Sequence, residues 1–155
     1  MRLVLLRHGP AVDRAEWSGP DPLRPLTDAG RERTKRIVRA VAPLMKGTLG
    51  VWTSPWARAS STARIAAKAW DLPLEEHGWL AGGLLGAGDR LDLLPRQDTV
   101  LVGHEPDFGE LIAALTGGPI IPLKKAGIAV LEGSPWGGGM ILRMLLTPAA
   151  VLDLA

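Results

Sequence analysis

The 155-residue sequence predicts an α/β fold built on a mixed, mainly parallel sheet, and three observations carry that reading. The runs Leu3-Val4-Leu5-Leu6 and Val100-Leu101-Val102 lack the polar alternation of a half-solvated strand and suit strands covered on both faces. At Ser54-Pro55 and again at Glu105-Pro106-Asp107, an apolar strand gives way to a helix start, the succession expected where parallel strands alternate with helices. Near the end of the chain, Ile128-Ala129-Val130-Leu131 and residues 138–145 are joined by Ser134-Pro135-Trp136-Gly137, a connection short enough to require an antiparallel pair.

The length fits one domain over residues 1–155. No cysteine is present, which excludes disulfides, thiolate metal sites and a thiol nucleophile. Apolar runs fall far short of the roughly 20 residues that span a bilayer, and the N-terminal run reads as a core strand rather than a signal peptide. A cytoplasmic protein with no membrane partner is the expectation. The formal charge of +2 conceals an asymmetry: residues 1–68 hold 13 Lys and Arg against 5 Asp and Glu, residues 69–155 hold 5 against 11. The basic half has neither a run of five cations nor interleaved surface aromatics, so a small anion or a phosphorylated partner suits it better than nucleic acid.

Taken in order, the first strand ends in Arg7-His8-Gly9, where an α/β sheet places its ligands, and the glycine permits a sharp turn or a close approach to a ligand. An isolated Arg-His-Gly is also what any strand with a polar end looks like, and later features decide. Residues Pro10 to Pro25 form a loop over that strand end. Thr27 is a candidate N-cap, with Thr34, Ile37, Val38, Val41 and Leu44 at helical spacing to a break at Pro43, and with Arg31, Glu32, Lys35, Arg36 and Arg39 on a solvated face. Leu49 to Thr53 is a second strand. Ser54 is the expected N-cap and Pro55 the first residue of a helix that is alanine-rich from Ala57 to Trp70. Arg58 in its first turn opposes the helix dipole, at a cost of a few tenths of a kcal/mol unless something negative sits nearby; Arg64 reads as an ordinary surface residue.

Leu72 to His77 suits an edge strand because of Pro73. Gly78 to Asp89, with five glycines, reads as a loop without the spacing of a nucleotide-binding motif, and Arg90 to Leu94 as a short helix. Thr99 to His104 repeats the opening theme, a buried run ending in glycine and histidine, and is followed by the helix that begins at Glu105. Pro148 to Ala155 reads as a final helical turn.

Three strand ends thus offer Arg7 with His8, Arg58, and His104. Two guanidiniums and two imidazoles at one point call for a tetrahedral dianion: arginine forks match phosphate oxygens, and an imidazole can attack phosphorus to form a phosphoramidate. Phosphoryl transfer needs little beyond position and charge, which this set supplies with neither metal nor other cofactor. These residues resemble the histidine phosphatase superfamily, with Arg7-His8-Gly9 at the first strand end, Arg24-Pro25-Leu26-Thr27, Ser54-Pro55-Trp56-Ala57-Arg58-Ala59, and Val102-Gly103-His104-Glu105-Pro106 in the expected order. The resemblance implies a three-layer sandwich of the phosphoglycerate mutase type, a phosphorylated nucleophile at His8, and a phosphate pocket made by Arg7, Gly9, Arg58 and His104.

Only 45 residues separate Arg58 from His104, too few for the helical insert of larger members, so the chain is similar to the compact SixA-type phosphohistidine phosphatases. Where that superfamily carries a glutamate after the third strand, this chain reads Gly78-Trp79-Leu80-Ala81-Gly82-Gly83. Phosphohistidine needs less acid assistance than an ester, because imidazole departs as a neutral amine. A phosphohistidine-bearing partner protein is therefore the expected substrate, with small phosphate esters and a non-catalytic phospho-ligand module as alternatives. Glu105 and Asp13 are candidate proton donors that no spacing argument fixes in the pocket. His77 reads as a surface residue, and a three-histidine metal site with His8 and His104 lacks ligand spacing. Trp17, Trp56 and Trp79 are candidates for the cleft rim or equally for packing, and Lys124-Lys125 reads first as a solvated pair, with contact to an acidic partner surface as the alternative. Oligomeric state is not legible.

Overall fold

In β1 (Arg2–Arg7) the two-residue period of a strand divides the apolar run between two cores. Val4 and Leu6 join one, Leu3 and Leu5 the other, and all four are fully buried. The strand β4 (Thr99–Gly103) repeats the division with Val100 and Val102 against Leu101. Each such side chain contributes on the order of 1.5–3 kcal/mol of gross burial energy, which anchors the strand ends that carry polar groups. The computed structural model describes residues 1–83, 90–136 and 138–155.

Four further strands, β2 (Gly50–Thr53), β3 (Leu74–Glu76), β5 (Ile128–Gly133) and β6 (Met140–Leu146), complete one sheet in the order β3-β2-β4-β1-β5-β6. The first four are mutually parallel; β5 runs antiparallel to both β1 and β6, with a register shift between Val130 and Leu131. Helices cover both faces. On one side lie α1 (Asp28–Ala40) with Ile37 and Val38, α2 (Ala57–Trp70) with its buried alanines, and α4 (Pro148–Leu154) with Val151. On the other, α3 (Asp107–Thr116) presents Phe108, Leu111, Ile112 and Leu115. This is the expected three-layer α/β sandwich with a mixed, mainly parallel sheet.

Thr27 caps α1 by accepting the Gly30 amide at 2.9 Å, and the strand after Pro73 is an edge strand. Some boundaries differ from expectation. Ser54 is not the cap of α2: the helix begins two residues after Pro55, with Trp56 at the cap position, and the Ser54 hydroxyl accepts the Trp56 amide in a local turn instead. Residues Gly78–Ala81 wind into a 3-10 turn that buries Leu80, so the first part of the expected glycine loop is ordered by packing; positions 84–89 of that loop, and Gly137 in the β5–β6 turn, lie outside the described residues. The short helix near Leu94 is a 3-10 turn, Leu91–Leu93, and the tail makes two turns of helix rather than one. Among the described residues no helix is long and apolar enough to cross a membrane.

Candidate active site

Strand register brings the two histidines together. Arg7 pairs with Gly103, and the His8 amide donates to the Gly103 carbonyl at 3.0 Å, so His8 and His104 leave adjacent parallel strands at the same level. Their ring centroids are 5.2 Å apart. On the other side of β4, Thr53 pairs with Val102, which sets Ser54 level with Gly103, one residue short of His104; the Ser54 hydroxyl is hydrogen-bonded to His104 Nε2 at 2.8 Å. His8 Nδ1 donates to the Gly9 carbonyl at 2.8 Å. A carbonyl can only accept, so the proton sits on Nδ1 and Nε2 keeps its lone pair.

Arg58, on the first turn of α2, is only 4% exposed. Its Nε donates to His8 Nε2 at 3.3 Å, while Nη1 donates to the Asp21 carbonyl (2.9 Å) and Nη2 to Asp21 Oδ2 (3.1 Å). Asp21 Oδ1 accepts from Arg24 Nε at 2.8 Å, so one carboxylate holds two guanidiniums. The Arg24 bond, with Arg58 adding to it, keeps the Asp21 carboxyl below the usual range. Sequence reasoning missed Asp21, which lies in the Pro10–Pro25 loop with no periodicity to mark it. One signal was available: an arginine misplaced at a helix N-terminus needed a negative neighbour, and Asp21 is that neighbour.

These groups line a cleft of about 530 Å³, together with Arg7, Arg14, Trp56 and Lys125. Burial is the main cause that pushes His8 down to about 3; His104, Arg58 and Arg7 reinforce it, and the bond to Gly9 opposes it. Burial, then Arg58, pushes His104 down to about 4. Both rings are therefore neutral at physiological pH. The Arg7 guanidinium donates from Nη1 to the Leu123 carbonyl at 2.7 Å, and its buried Nε has no partner among the described residues, nor has His104 Nδ1. Of the five donors on each guanidinium, three on Arg58 and one on Arg7 are engaged, which leaves a set of N–H groups for a tetrahedral oxyanion.

Other candidates go elsewhere. Gly9 does not line the cleft: its amide donates to Thr62 Oγ1 at 2.9 Å, and a Cβ there would fall 2.1 Å from Thr34 Oγ1, so this glycine serves the approach of α1 rather than of a ligand. Glu105 borders the cleft, but Oε1 accepts the Leu123 amide (2.8 Å) and Oε2 the Gly109 amide (3.2 Å), which makes it a loop anchor. Asp13 is exposed outside the cleft, its carboxylate accepting the Ala15 amide at 2.8 Å. Asp107, which the sequence did not single out, lines the cleft at the start of α3. His77 stacks on Trp52 at 4.1 Å, away from His8 and His104, and Trp79 packs beside that pair. Trp17 donates to the Pro20 carbonyl outside the cleft, so Trp56 alone of the three tryptophans lines it. Among the described residues no group of three His, Asp or Glu side chains is arranged to hold a metal ion.

The profile of the histidine phosphatase superfamily (branch 1) matches residues 3–82, which carry Arg7, His8, Asp21 and Arg58. The chain belongs to the histidine phosphatase superfamily. It is accordingly a hydrolase of the phosphatase class. An uncharacterized protein of Picosynechococcus sp. is 40% identical over 141 residues, 85% of each chain. Among solved structures, this histidine phosphatase superposes on the protein histidine phosphatase SixA complexed with tungstate, with a TM-score of 0.82 over 100% of both chains at 24% identity. The same fold is shared with a mycobacterial glucosyl-3-phosphoglycerate phosphatase, with a TM-score of 0.70 over 94% of this chain and 99% of that one at 18% identity.

Proposed function

We propose that the protein removes the phosphoryl group from phosphohistidine on a partner protein, carrying it transiently on His8. The observation that supports this reading most is the state of His8: a neutral imidazole with its proton committed to Gly9 and its Nε2 lone pair facing Arg58 across the cleft. An incoming phosphoryl group would displace the Arg58 Nε contact and take up free donors of Arg7 and Arg58, with His104 beside them. Nε2 then bonds to phosphorus as the bond from phosphorus to the substrate's ring nitrogen breaks, and that ring, protonated on its other nitrogen, departs neutral. In the second step water oxygen bonds to phosphorus, the bond to His8 Nε2 breaks, and the water's proton leaves with phosphate. The Nδ1 proton of His8 stays on Nδ1, donated to the Gly9 carbonyl, throughout, which keeps His8 a good leaving group.

Two of the cleft's carboxylates support this substrate class. Asp21 is occupied by two guanidiniums and Glu105 by two backbone amides, so neither is poised to protonate an alkoxide. Phosphohistidine does not need that proton. The likeness in fold to a SixA bound to tungstate, a tetrahedral oxyanion, agrees with this reading. A second reading, hydrolysis of small phosphate esters, has one observation in its favour, the place of Asp107 on the cleft wall as a source of acid. Turnover of a phosphohistidine protein beside a panel of sugar and nucleotide monophosphates separates the two. The expected kcat/KM is at least about a hundredfold higher for the phosphohistidine protein; a strong ester preference, lost in Asp107→Asn, would establish the second reading instead.

A further inference from the structure

Beside the cleft lies a second depression of about 630 Å³, which shares Arg7 and Lys125 with it and is otherwise lined by Pro10, Arg33, Lys124, Thr147, Pro148 and Ala149. Its charge is one-sided. Where the cleft sets Asp21, Glu105 and Asp107 among its cations, this groove has four cations and no carboxylate among its lining residues. Arg33, Lys124 and Lys125 are exposed, and among the described residues none of the three side chains makes an ion pair. Like charges gathered without partners at the surface are a cost that a bound anion removes.

The lysines are also held in place by more than an ordinary turn. The Ala126 amide donates to the carbonyls of Arg7 (3.1 Å) and His8 (3.0 Å), the Leu123 amide is fixed by Glu105, and the Leu123 carbonyl accepts from Arg7. Segment 123–126 is thus stitched to both histidine-bearing strand ends. Ala126 is buried and adopts a φ of 61°, a left-handed conformation that is unfavourable for a residue with a Cβ. Such strain persists where the surroundings impose it, and here it turns Lys124 and Lys125 outward beside the His8 strand end.

We infer that this groove seats the stretch of the partner protein next to the phosphorylated residue, and that the stretch is acidic with an apolar side chain among its acids. The inference rests on the proposed phosphohistidine reading and extends it to the substrate's surroundings. Cations on long stems, set beside Pro10, Pro148 and Ala149 in one depression, match carboxylates flanking an apolar residue. A compact second phosphate would call instead for donors converging on one point.

The test uses two histidine peptides phosphorylated with phosphoramidate, identical but for Asp and Glu in one replaced by Asn and Gln in the other. The wild type is expected to favour the acidic peptide about tenfold in kcat/KM, chiefly through KM, with the preference shrinking at high salt. In the Arg33→Glu/Lys124→Glu variant the preference should vanish, while turnover of p-nitrophenyl phosphate, too short to reach the groove, reports that the fold and phosphate site are intact. Equal kcat/KM for the two peptides with the wild type, or a preference that survives in the variant, would overturn the inference. If neither peptide turns over while p-nitrophenyl phosphate does, the phosphohistidine reading fails by itself. The groove is then judged by calorimetric binding of the same peptides, where tighter binding of the acidic one, lost in the variant, is the supporting result and equal binding the opposing one.

Discussion

His8 and His104 sit at 4% and 6% exposure beside two guanidiniums, and that placement has a consequence for stability. A histidine in an unfolded chain takes up its proton near 6.5. In this fold His8 does so near 3 and His104 near 4, burial being the first cause for each. Between those limits the unfolded chain binds more protons than the native one, so protonation favours unfolding and stability falls as pH drops from about 6.5 toward 4. Urea midpoints measured from pH 7 to pH 5 should therefore decline more steeply for the wild type than for a His8→Asn/His104→Asn variant. Equal slopes would mean that both rings take up protons in the native cleft as readily as in the unfolded chain. At the same scale Asp21 offsets part of the local positive field: without its carboxylate, Arg58 and Arg24 would face each other with only Trp56 packed against the Arg58 guanidinium, at 4.7 Å from its ring centre.

At the scale of elements, α1 approaches the end of β1 through two glycines. A Cβ on Gly30 would lie 2.0 Å from the Pro10 carbonyl oxygen, a backbone atom that cannot rotate away. Gly30→Ala would gain about 1 kcal/mol of helix propensity on an exposed helix, and overpacking of a tight contact costs about 1–3 kcal/mol, so the clash wins. The expected result is a net loss of up to about 2 kcal/mol in denaturant unfolding together with weakened phosphate binding, because the shift propagates to Gly9 and His8; a stabilised variant would show that the helix does not set the strand end. The mirror case is Gly103, where an added Cβ would meet the Phe108 ring at 2.8 Å, so α3 is docked against the His104 strand end in the same way. Gly9 reads in the sequence as freedom for a sharp turn or a close approach to a ligand. Neither Gly9 nor Gly103 has a positive φ, and what each permits is close packing of a helix, which local sequence cannot distinguish from close approach of a substrate.

For the molecule as a whole, the layers and the histidine and arginine corner were legible because they follow from local rules. Apolar runs of strand length end at polar residues, and parallel register then places His8 and His104 at one level, with Ser54 one residue short of it. What was not legible lay in side chains meeting across long stretches of irregular chain. Asp21 reaches Arg58 across 37 positions, and Glu105 reaches Leu123 across 18, with no period to announce either. Glu105 looked like a free acid for that reason, and becomes a strut once its two amide donors are in view. The Ser54 cap failed differently: the motif was read correctly as a helix start, but the hydroxyl is spent on His104 and a local turn. Turnover as proposed passes the phosphoryl group through a covalent bond to one ring, that of His8. Rapid quench of the protein with a radiolabelled phosphohistidine substrate, followed by peptide mapping, tests this most directly. The predicted result is an acid-labile, base-stable label on the peptide that contains His8, absent in His8→Ala, which should also lose turnover. Full turnover in His8→Ala, or a label that maps to another residue, would contradict it.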